Sequence, residues 1–172
     1  MYTPADFRNN NLTEIKSFIR DNPFATLISP GKESPEATHI PIELIEQNDK
    51  TMFLQGHLSR ANPQWKNFSD KSSVLAIFHG PHTYVSSGWY NHVNVPTWNY
   101  MAVHVTGRIK IIEGDDLYQS LKGLVDRYEA GSKKPIRVEE LPIEMMDKYM
   151  KGIVGFRIEM EKIEGKWKLS QN

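Results

Sequence analysis

The chain contains 172 residues, of which 39% are hydrophobic and 24% are charged, proportions typical of a folded globular protein and not of a disordered one. Acidic and basic side chains balance at 21 each, so the basic excess typical of proteins that bind nucleic-acid phosphates is missing. The absence of cysteine excludes disulfides, thiolate catalysis and cysteine-based zinc sites. Because neither a signal-peptide pattern nor a membrane-length apolar run is visible, we expect one cytoplasmic domain spanning residues 1–172.

The first predicted element is an amphipathic helix. Asn11 is a suitable N-cap and Glu14 follows it at capping-box spacing. Asn22-Pro23 should end the helix, since a proline disfavours helical geometry in the residue before it. The predicted buried stripe consists of Leu12, Ile15, Phe18 and Ile19.

Short runs rich in β-branched and aromatic residues follow, separated by turn-forming residues, as expected for consecutive antiparallel strands. Predicted strands cover residues 24–29, 37–46, 51–57, 73–79, 82–86, 100–113 and 153–163, with a closing segment at 166–170. Turns are expected at Ser29-Pro30-Gly31, Gln47-Asn48-Asp49 and Glu164-Gly165. Pro41 inside the second run predicts a sheet edge or a bulge there, because proline cannot donate to a strand ladder.

Two further helices are predicted in the second half of the chain. Asp115 is expected to cap the first of them, and a shorter one should cover residues 143–151. The predicted buried face of the longer helix is Leu117, Leu121, Leu124, Val125 and Tyr128. Six to seven antiparallel strands that do not alternate with helices favour a mainly β fold, a small closed barrel with peripheral helices, over an α/β sheet.

The segment GHLSRANPQW has the features of an anion site. Asn62 is a suitable helix cap and Pro63 suits the first helical position, so a strand should end here in a turn that leads to a helix N-terminus. Free N–H groups at such a terminus attract anions, and His57, Ser59 and Arg60 stand just before it. A surface loop with a solvated arginine would have the same spacing, so spacing alone leaves both interpretations open.

Two aromatic, turn-rich stretches, GPHTYVSSGWY and VPTWNY, fit either an interface and stacking surface or a small satellite core under a loop. His39 fits either a hydrogen-bonded core residue or a functional one. The six histidines lack the spacing of metal ligands, so we predict no metal site. Common hydrolase, NTPase and Rossmann motifs are also missing.

The chain resembles the PaiB family of FMN-binding split-barrel flavoproteins, named as negative transcriptional regulators of sporulation and protease synthesis. The matching stretches run in order along almost the whole sequence: NPFATLIS, ATHIPIEL, GHLSRANPQWK, IFHGPHTYVSSGWY, VPTWNYMAVHVTGRI and KGIVGFRIEMEKIEGKWKLSQN. The resemblance implies a split β-barrel homodimer that binds FMN at the subunit interface.

The resemblance also implies residue roles. In the wider pyridoxamine-phosphate oxidase-like superfamily a Ser-Arg-Lys segment holds the flavin phosphate; Ser59 and Arg60 match it, but Ala61 replaces the lysine, so His57 or a partner residue would have to compensate. The strand with ATHIPI would run along the isoalloxazine ring. The implied flavin-binding residues are Thr38, His39, Ile40, Pro41, His57, Ser59, Arg60 and Asn62, with Ser86, Ser87, Trp89 and Trp98 from the partner subunit.

Three functional hypotheses are compatible with the sequence. The first is a regulator in which FMN changes how the dimer engages DNA or a protein, although the balanced charge and the missing helix-turn-helix pattern weigh against direct DNA binding. The second is an FMN-dependent oxidoreductase, for which the candidate bases are His39, His57 and His104. The third is a flavin- or haem-related binding protein, in which His79 and His82 would be the residues to test.

Overall fold

One antiparallel sheet contains all strands of the computed structural model, which describes residues 1–48, 51–69 and 72–171. The strands are β1 (Arg8–Asn9), β2 (Phe24–Ser29), β3 (Glu36–Pro41), β4 (Glu43–Asn48), β5 (Thr51–Ser59), β6 (Ser73–Val85), β7 (Thr97–Ile112) and β8 (Ile153–Lys168). The helices are α1 (Leu12–Asp21), α2 (Gly114–Glu129) and α3 (Ile143–Lys151). The sheet order is β3-β2-β6-β7-β8-β5-β4, with β1 beside β8. The predicted mainly β fold with peripheral helices is confirmed.

A single segment supplies both edges of this sheet. β3 pairs with β2 at one edge and β4 pairs with β5 at the other, yet only Ile42 separates the two strands. Because strands joined by one residue stay close together, the sheet must curl until its edges approach each other. Ile42 is completely buried, and its N–H donates to the carbonyl oxygen of Pro23 at 2.8 Å. The predicted single strand at 37–46 is therefore two strands, divided beside Pro41 where an edge or bulge was expected.

Much of the barrel interior is filled by residues that alternate along β2, β6 and β7, as the period of a half-buried strand requires. Its fully buried members include Leu27, Leu54, Phe78, Val103, Phe156 and Ile158. Helix α1 packs on this core through Ile15, Phe18 and Ile19, whereas Leu12 is exposed, so the predicted stripe is confirmed except at Leu12. Its predicted cap is also confirmed, because the Asn11 side chain accepts hydrogen bonds from the N–H groups of Thr13 and Glu14.

Glycines that resemble turn signals serve close packing at two points in the sheet. Gly165 lies inside the continuous strand β8, opposite Asn9 of β1 on one side and Val103 of β7 on the other. A Cβ atom there would lie 2.9 Å from the carbonyl oxygen of Asn9, so glycine permits the approach of β1 and does not form a turn. The turn predicted at Glu164-Gly165 is wrong. Likewise, a Cβ at Gly80 would lie 2.4 Å from Cε2 of Phe18.

Other predicted boundaries have mixed outcomes. The predicted strands 73–79 and 82–86 are one strand, β6, interrupted by a register shift between His79 and His82. Helix α2 starts at Gly114, which has a φ of 57°, so the prediction that Asp115 caps it is wrong. On α2 the structure buries Leu117 and Ser120 and leaves Tyr128 51% exposed.

Helix α3 has the predicted bounds, Ile143–Lys151. Of the turn predicted at Gln47-Asn48-Asp49, the first two residues belong to β4, so that part of the prediction is wrong, and Asp49 lies outside the described residues. None of the helices in the described part of the chain is long and apolar enough to cross a membrane.

Candidate functional site

The strand β5 ends at Ser59 in a tight turn that leads to a short 3-10 helix, Pro63–Asn67. The N–H of Asn62 donates to the carbonyl oxygen of Ser59 at 2.9 Å, and the Asn62 side chain accepts from the N–H of Gln64 at 3.0 Å. The predicted cap at Asn62 and the predicted position of Pro63 are therefore confirmed. Since this helix is only five residues long, its dipole is weak and the side chains before it matter more for binding an anion.

Arg60 is exposed, but its guanidinium group is held in one orientation. Nε donates to the carbonyl oxygen of Lys151 at 2.8 Å, and Nη2 donates to that of Ile153 at 2.9 Å. The guanidinium carbon lies 5.6 Å from the ring centre of Trp65, whose Nε1 donates back to the carbonyl oxygen of Arg60 at 3.0 Å. These bonds occupy the Nε–Nη2 edge of the guanidinium. Its other edge, formed by Nη1 and Nη2, can donate two parallel hydrogen bonds to a phosphate.

A polar network connects this turn to β3. The hydroxyl of Thr38 accepts from Nδ2 of Asn62 at 2.8 Å and donates to Oε1 of Gln64 at 2.5 Å. Gln64 is only 2% exposed. Its Nε2 lies within 3.2 Å of three acceptors, the carbonyl oxygens of Leu27 and Glu36 and the hydroxyl of Ser29. The structure thus brings Thr38 of β3 into contact with Asn62 of the turn that carries Arg60, and both are predicted site residues.

Side chains along β3 alternate between the two faces of the sheet, so the predicted residues of the ATHIP stretch do not share one face. Thr38 and Ile40 lie on the partly covered face, while His39 is exposed on the other. Nδ1 of His39 lies 2.9 Å from the hydroxyl of Thr26, and its ring stacks on Phe24 with centroids 6.4 Å apart. The interpretation of His39 as a core residue is wrong.

His57 is half-buried on β5, two residues before Ser59. Burial lowers the pKa of His57 below its usual value, so the imidazole is neutral at neutral pH. A neutral ring cannot replace the positive charge of the lysine that is missing at Ala61. Burial is also the main cause of a lowered pKa at His104, reinforced by the N-terminal charge and opposed by Glu164.

Beyond the register shift in β6, residues 82–85 pair with residues 97–100, and we call the whole segment 82–100 the aromatic arm. Trp89 is 72% exposed and Trp98 is 57% exposed, so the interpretation of these aromatics as a satellite core is wrong. The ring of Trp98 lies 6.0 Å from that of Tyr84 and 6.4 Å from that of His82. Ser86 and Ser87 are half-buried at the tip, where the Ser86 hydroxyl accepts from the N–H of Gly88 at 3.2 Å.

The predicted site residues therefore form two groups within one chain. Thr38, His57, Ser59, Arg60 and Asn62 lie on β3, β5 and the turn after β5, whereas the serines and tryptophans lie on the aromatic arm. Among the hydrogen bonds, ion pairs and ring contacts described for residues 1–48, 51–69 and 72–171, none joins the two groups.

Two contributors to the site were not foreseen from the sequence. Gln64 is the buried centre of the network, although its type and position gave no signal. The carbonyl oxygens at the junction of α3 and β8 hold Arg60 from 91 and 93 positions along the chain. Beside that junction, Arg60 and Lys151 line one cleft of about 400 Å³ between α2 and α3. Its other walls are Glu113, Gly114, Leu117, Tyr118, Ile143, Met146, Asp147 and Met150.

Comparison with known proteins identifies the family. A family model described as "Putative FMN-binding domain" matches residues 1–162. The "Protease synthase and sporulation protein PAI 2" of Bacillus subtilis is 40% identical over 172 residues, which cover 100% of this chain and 83% of that protein. The chain belongs to the PaiB family of FMN-binding proteins.

Solved structures agree with this assignment in fold. The FAD and heme binding protein from Mycobacterium smegmatis superposes with a TM-score of 0.71 at 15% identity, over 94% of this chain and 73% of its own. The flavocytochrome Anf3 from Azotobacter vinelandii gives a TM-score of 0.72 at 14% identity, over 95% of this chain and 70% of its own. The sequence-based predictions of the PaiB family, of the split β-barrel and of FMN as the cofactor are confirmed.

Proposed function

We propose that this PaiB-family chain acts as a cytoplasmic, homodimeric regulator whose FMN phosphate is bound by the Nη1–Nη2 edge of Arg60. The observation that carries the flavin-phosphate part of this proposal is the fixed guanidinium of Arg60. Its Nε–Nη2 edge is bound to two backbone carbonyls, so the edge suited to a phosphate is oriented before any ligand arrives. Preorganisation of this kind raises affinity because less side-chain entropy is lost on binding.

The residues around Arg60 fit a phosphate group. The Ser59 oxygen accepts a hydrogen bond from the N–H of Ala61 at 3.3 Å, which leaves the Ser59 hydroxyl hydrogen to be donated to a phosphate oxygen. The network of Thr38, Asn62 and Gln64 keeps this turn at a fixed distance from β3. A ligand with a phosphate at Arg60 and a flat ring along β3 would therefore meet two elements that are already held at a fixed distance from each other.

A second copy of the chain is proposed to complete the site. The outer face of β2, β3 and β6 carries Phe24, which is 65% exposed, together with the half-buried Ile28, Leu75 and Ile77. In the sheet Ile28 lies opposite Leu75, and the next pair on this face is Thr26 and Ile77, so the half-buried apolar side chains adjoin one another. The aromatic arm adds two further exposed apolar side chains, Trp89 and Trp98. Patches of this kind are typical of protein interfaces, and a partner covering this one would bring its arm, with Ser86, Ser87, Trp89 and Trp98, towards β3.

When bound, FMN supplies a redox-active ring, and the chain's residues bind, orient and shield it. His39 is the exposed titratable side chain on β3, hydrogen-bonded to Thr26. That position favours a second candidate function, an FMN-dependent oxidoreductase in which His39 moves a proton beside the ring. Rapid bleaching of bound FMN by NAD(P)H would support the second function. A gel shift of a promoter fragment at physiological salt would support regulation through DNA.

The test of flavin binding compares FMN with riboflavin, which lacks the phosphate. Each is titrated into the protein while flavin fluorescence and absorbance are followed. We expect FMN to bind at least about tenfold more tightly than riboflavin, because one charge-assisted hydrogen bond already contributes about 1.5 kcal/mol. Equal affinity for the two flavins would overturn the phosphate site. Light scattering of the same samples should give the mass of a dimer.

A further inference from the structure

The proposed phosphate site has fewer cations on its own turn than the superfamily pattern provides. Ala61 occupies the position of the lysine, and burial keeps His57 neutral at neutral pH. Arg60 is thus the one cation supplied by residues 57–62. A dianionic phosphate is bound most tightly when several donors and charges surround it, so a second cation should come from another element.

The junction of α3 and β8 is the element in contact with Arg60. Besides the two side-chain bonds of its guanidinium, the N–H of Arg60 donates to the carbonyl oxygen of Gly152 at 2.8 Å. Three consecutive residues, Lys151, Gly152 and Ile153, therefore accept hydrogen bonds from Arg60. These three hydrogen bonds fix the position of the junction relative to Arg60.

Lys151 is the cationic residue of this junction. It is exposed at the C-terminal end of α3, and it lines the same cleft as Arg60. Among the ion pairs of the described residues none involves Lys151, although Asp147 and Glu113 line the same cleft. Lys151 therefore offers a positive charge to an anion that enters the cleft beside Arg60.

We propose that Lys151 is a flavin-phosphate ligand that replaces the lysine missing at Ala61. This inference rests on the proposed function, because it assumes that the phosphate binds at Arg60. Lys151 reaches the site from a different element, the end of α3, which is bound to Arg60 by backbone carbonyls. Glu113 and Asp147 oppose the phosphate electrostatically, so the two cations also offset these neighbouring carboxylates.

The test measures dissociation constants for FMN and riboflavin in four proteins: the wild type, Lys151→Ala, Lys148→Ala and the double variant Ala61→Lys/Lys151→Ala. Lys148 is a matched control, since it is exposed in the same last turn of α3 but does not line the cleft. We expect Lys151→Ala to weaken FMN binding about tenfold, the least that a lost hydrogen bond to a charged group contributes. The riboflavin affinity of Lys151→Ala should equal that of the wild type, and Lys148→Ala should bind both flavins with wild-type affinity.

The double variant separates a ligand from a merely structural residue. Restoring a lysine at position 61 should recover FMN affinity in the absence of Lys151. If Lys151→Ala binds FMN as tightly as the wild type does, Lys151 is not a phosphate ligand. The same conclusion follows if Lys151→Ala and Lys148→Ala weaken FMN binding to the same extent. An Arg60→Ala protein titrated in parallel distinguishes the two proposals. If Arg60→Ala keeps wild-type FMN affinity, the phosphate site itself fails; if only Arg60→Ala loses FMN, the site stands and the role of Lys151 fails.

Discussion

The hydroxyl of Thr38 donates to the buried side-chain oxygen of Gln64 at 2.5 Å, and this bond connects the edge strand β3 to the turn that carries Arg60. Both the ring-binding strand and the phosphate-binding turn of the proposed flavin site are therefore held by one side chain from the 3-10 helix. Since a rigid ligand needs a fixed distance between the elements that bind its two ends, this connection matters more to the site than either residue alone.

Replacement of Gln64 should be costly. Gln64→Leu removes the partner of the Thr38 hydroxyl and of three acceptors on β2 and β3, so we expect the free energy of unfolding to fall by about 3 kcal/mol. Urea denaturation measures this change. Gln119→Leu, at an exposed position on α2, is the control and should change stability by less than about 0.5 kcal/mol. Equal effects of the two substitutions would contradict the role of the network.

Glu43 should destabilise the fold at neutral pH. Burial raises the pKa of Glu43 above its usual 4.5 and outweighs the guanidinium of Arg127, which lies 3.6 Å away. Because the folded-state pKa is higher than the unfolded one, the stabilising contribution is complete below pH 4.5 and is lost as the pH rises through the folded-state pKa. Glu43→Gln should therefore raise the melting temperature at pH 7, and the gain should vanish below pH 4.5.

Glu46 is a matched control for Glu43, because its pKa is shifted in the opposite direction. Hydrogen bonds from Lys16 and Arg20 lower the pKa of Glu46, an exposed residue on the same strand. Its contribution is present at neutral pH and lost as the pH falls through its folded-state pKa. Glu46→Gln should thus lower the melting temperature at pH 7. If Glu43→Gln instead lowers the melting temperature at pH 7, the ion pair of Glu43 with Arg127 outweighs the cost of burial.

His57 should not act as a phosphate cation. Since burial lowers its pKa, the wild type should lose stability as the pH falls below 6.5, and His57→Gln should reduce that loss. FMN affinity of His57→Gln at pH 7.5 should equal that of the wild type, as measured by fluorescence titration. A marked loss of FMN affinity in this variant would instead support compensation by His57 for the missing lysine.

Trp98 should stabilise the dimer without contributing to the folding stability of the single protomer. Its side chain is already exposed in one protomer, so Trp98→Ser should leave the unfolding midpoint of dilute protein unchanged. Loss of an aromatic interface anchor should weaken dimerisation by about 2 kcal/mol, roughly thirtyfold, in sedimentation equilibrium. Tyr128→Ser, on α2, removes a similarly exposed aromatic and should not alter the dimer. Identical dissociation constants for the two variants would refute the proposed interface.

Local signals in the sequence predicted much of the fold. The cap at Asn11, the Asn62-Pro63 pair and the bounds of α3 were predicted from neighbouring residues, and all three are confirmed. Long-range pairing could not be foreseen in the same way. Gly165 is a residue type typical of turns, but it lies inside β8 with a paired strand on either side. Arg60 binds carbonyl oxygens some ninety positions away, and no local sequence pattern indicates such a contact.

The central claim, that Arg60 binds the flavin phosphate, is tested most directly by titrating FMN into wild-type and Arg60→Ala protein, with Arg137→Ala as an exposed arginine control. Loss of two charge-assisted hydrogen bonds of about 1.5 kcal/mol each should weaken FMN binding by about a hundredfold in Arg60→Ala. Riboflavin affinity should stay the same, and Arg137→Ala should match the wild type. If Arg60→Ala and Arg137→Ala bind FMN equally well, the phosphate site is not at Arg60.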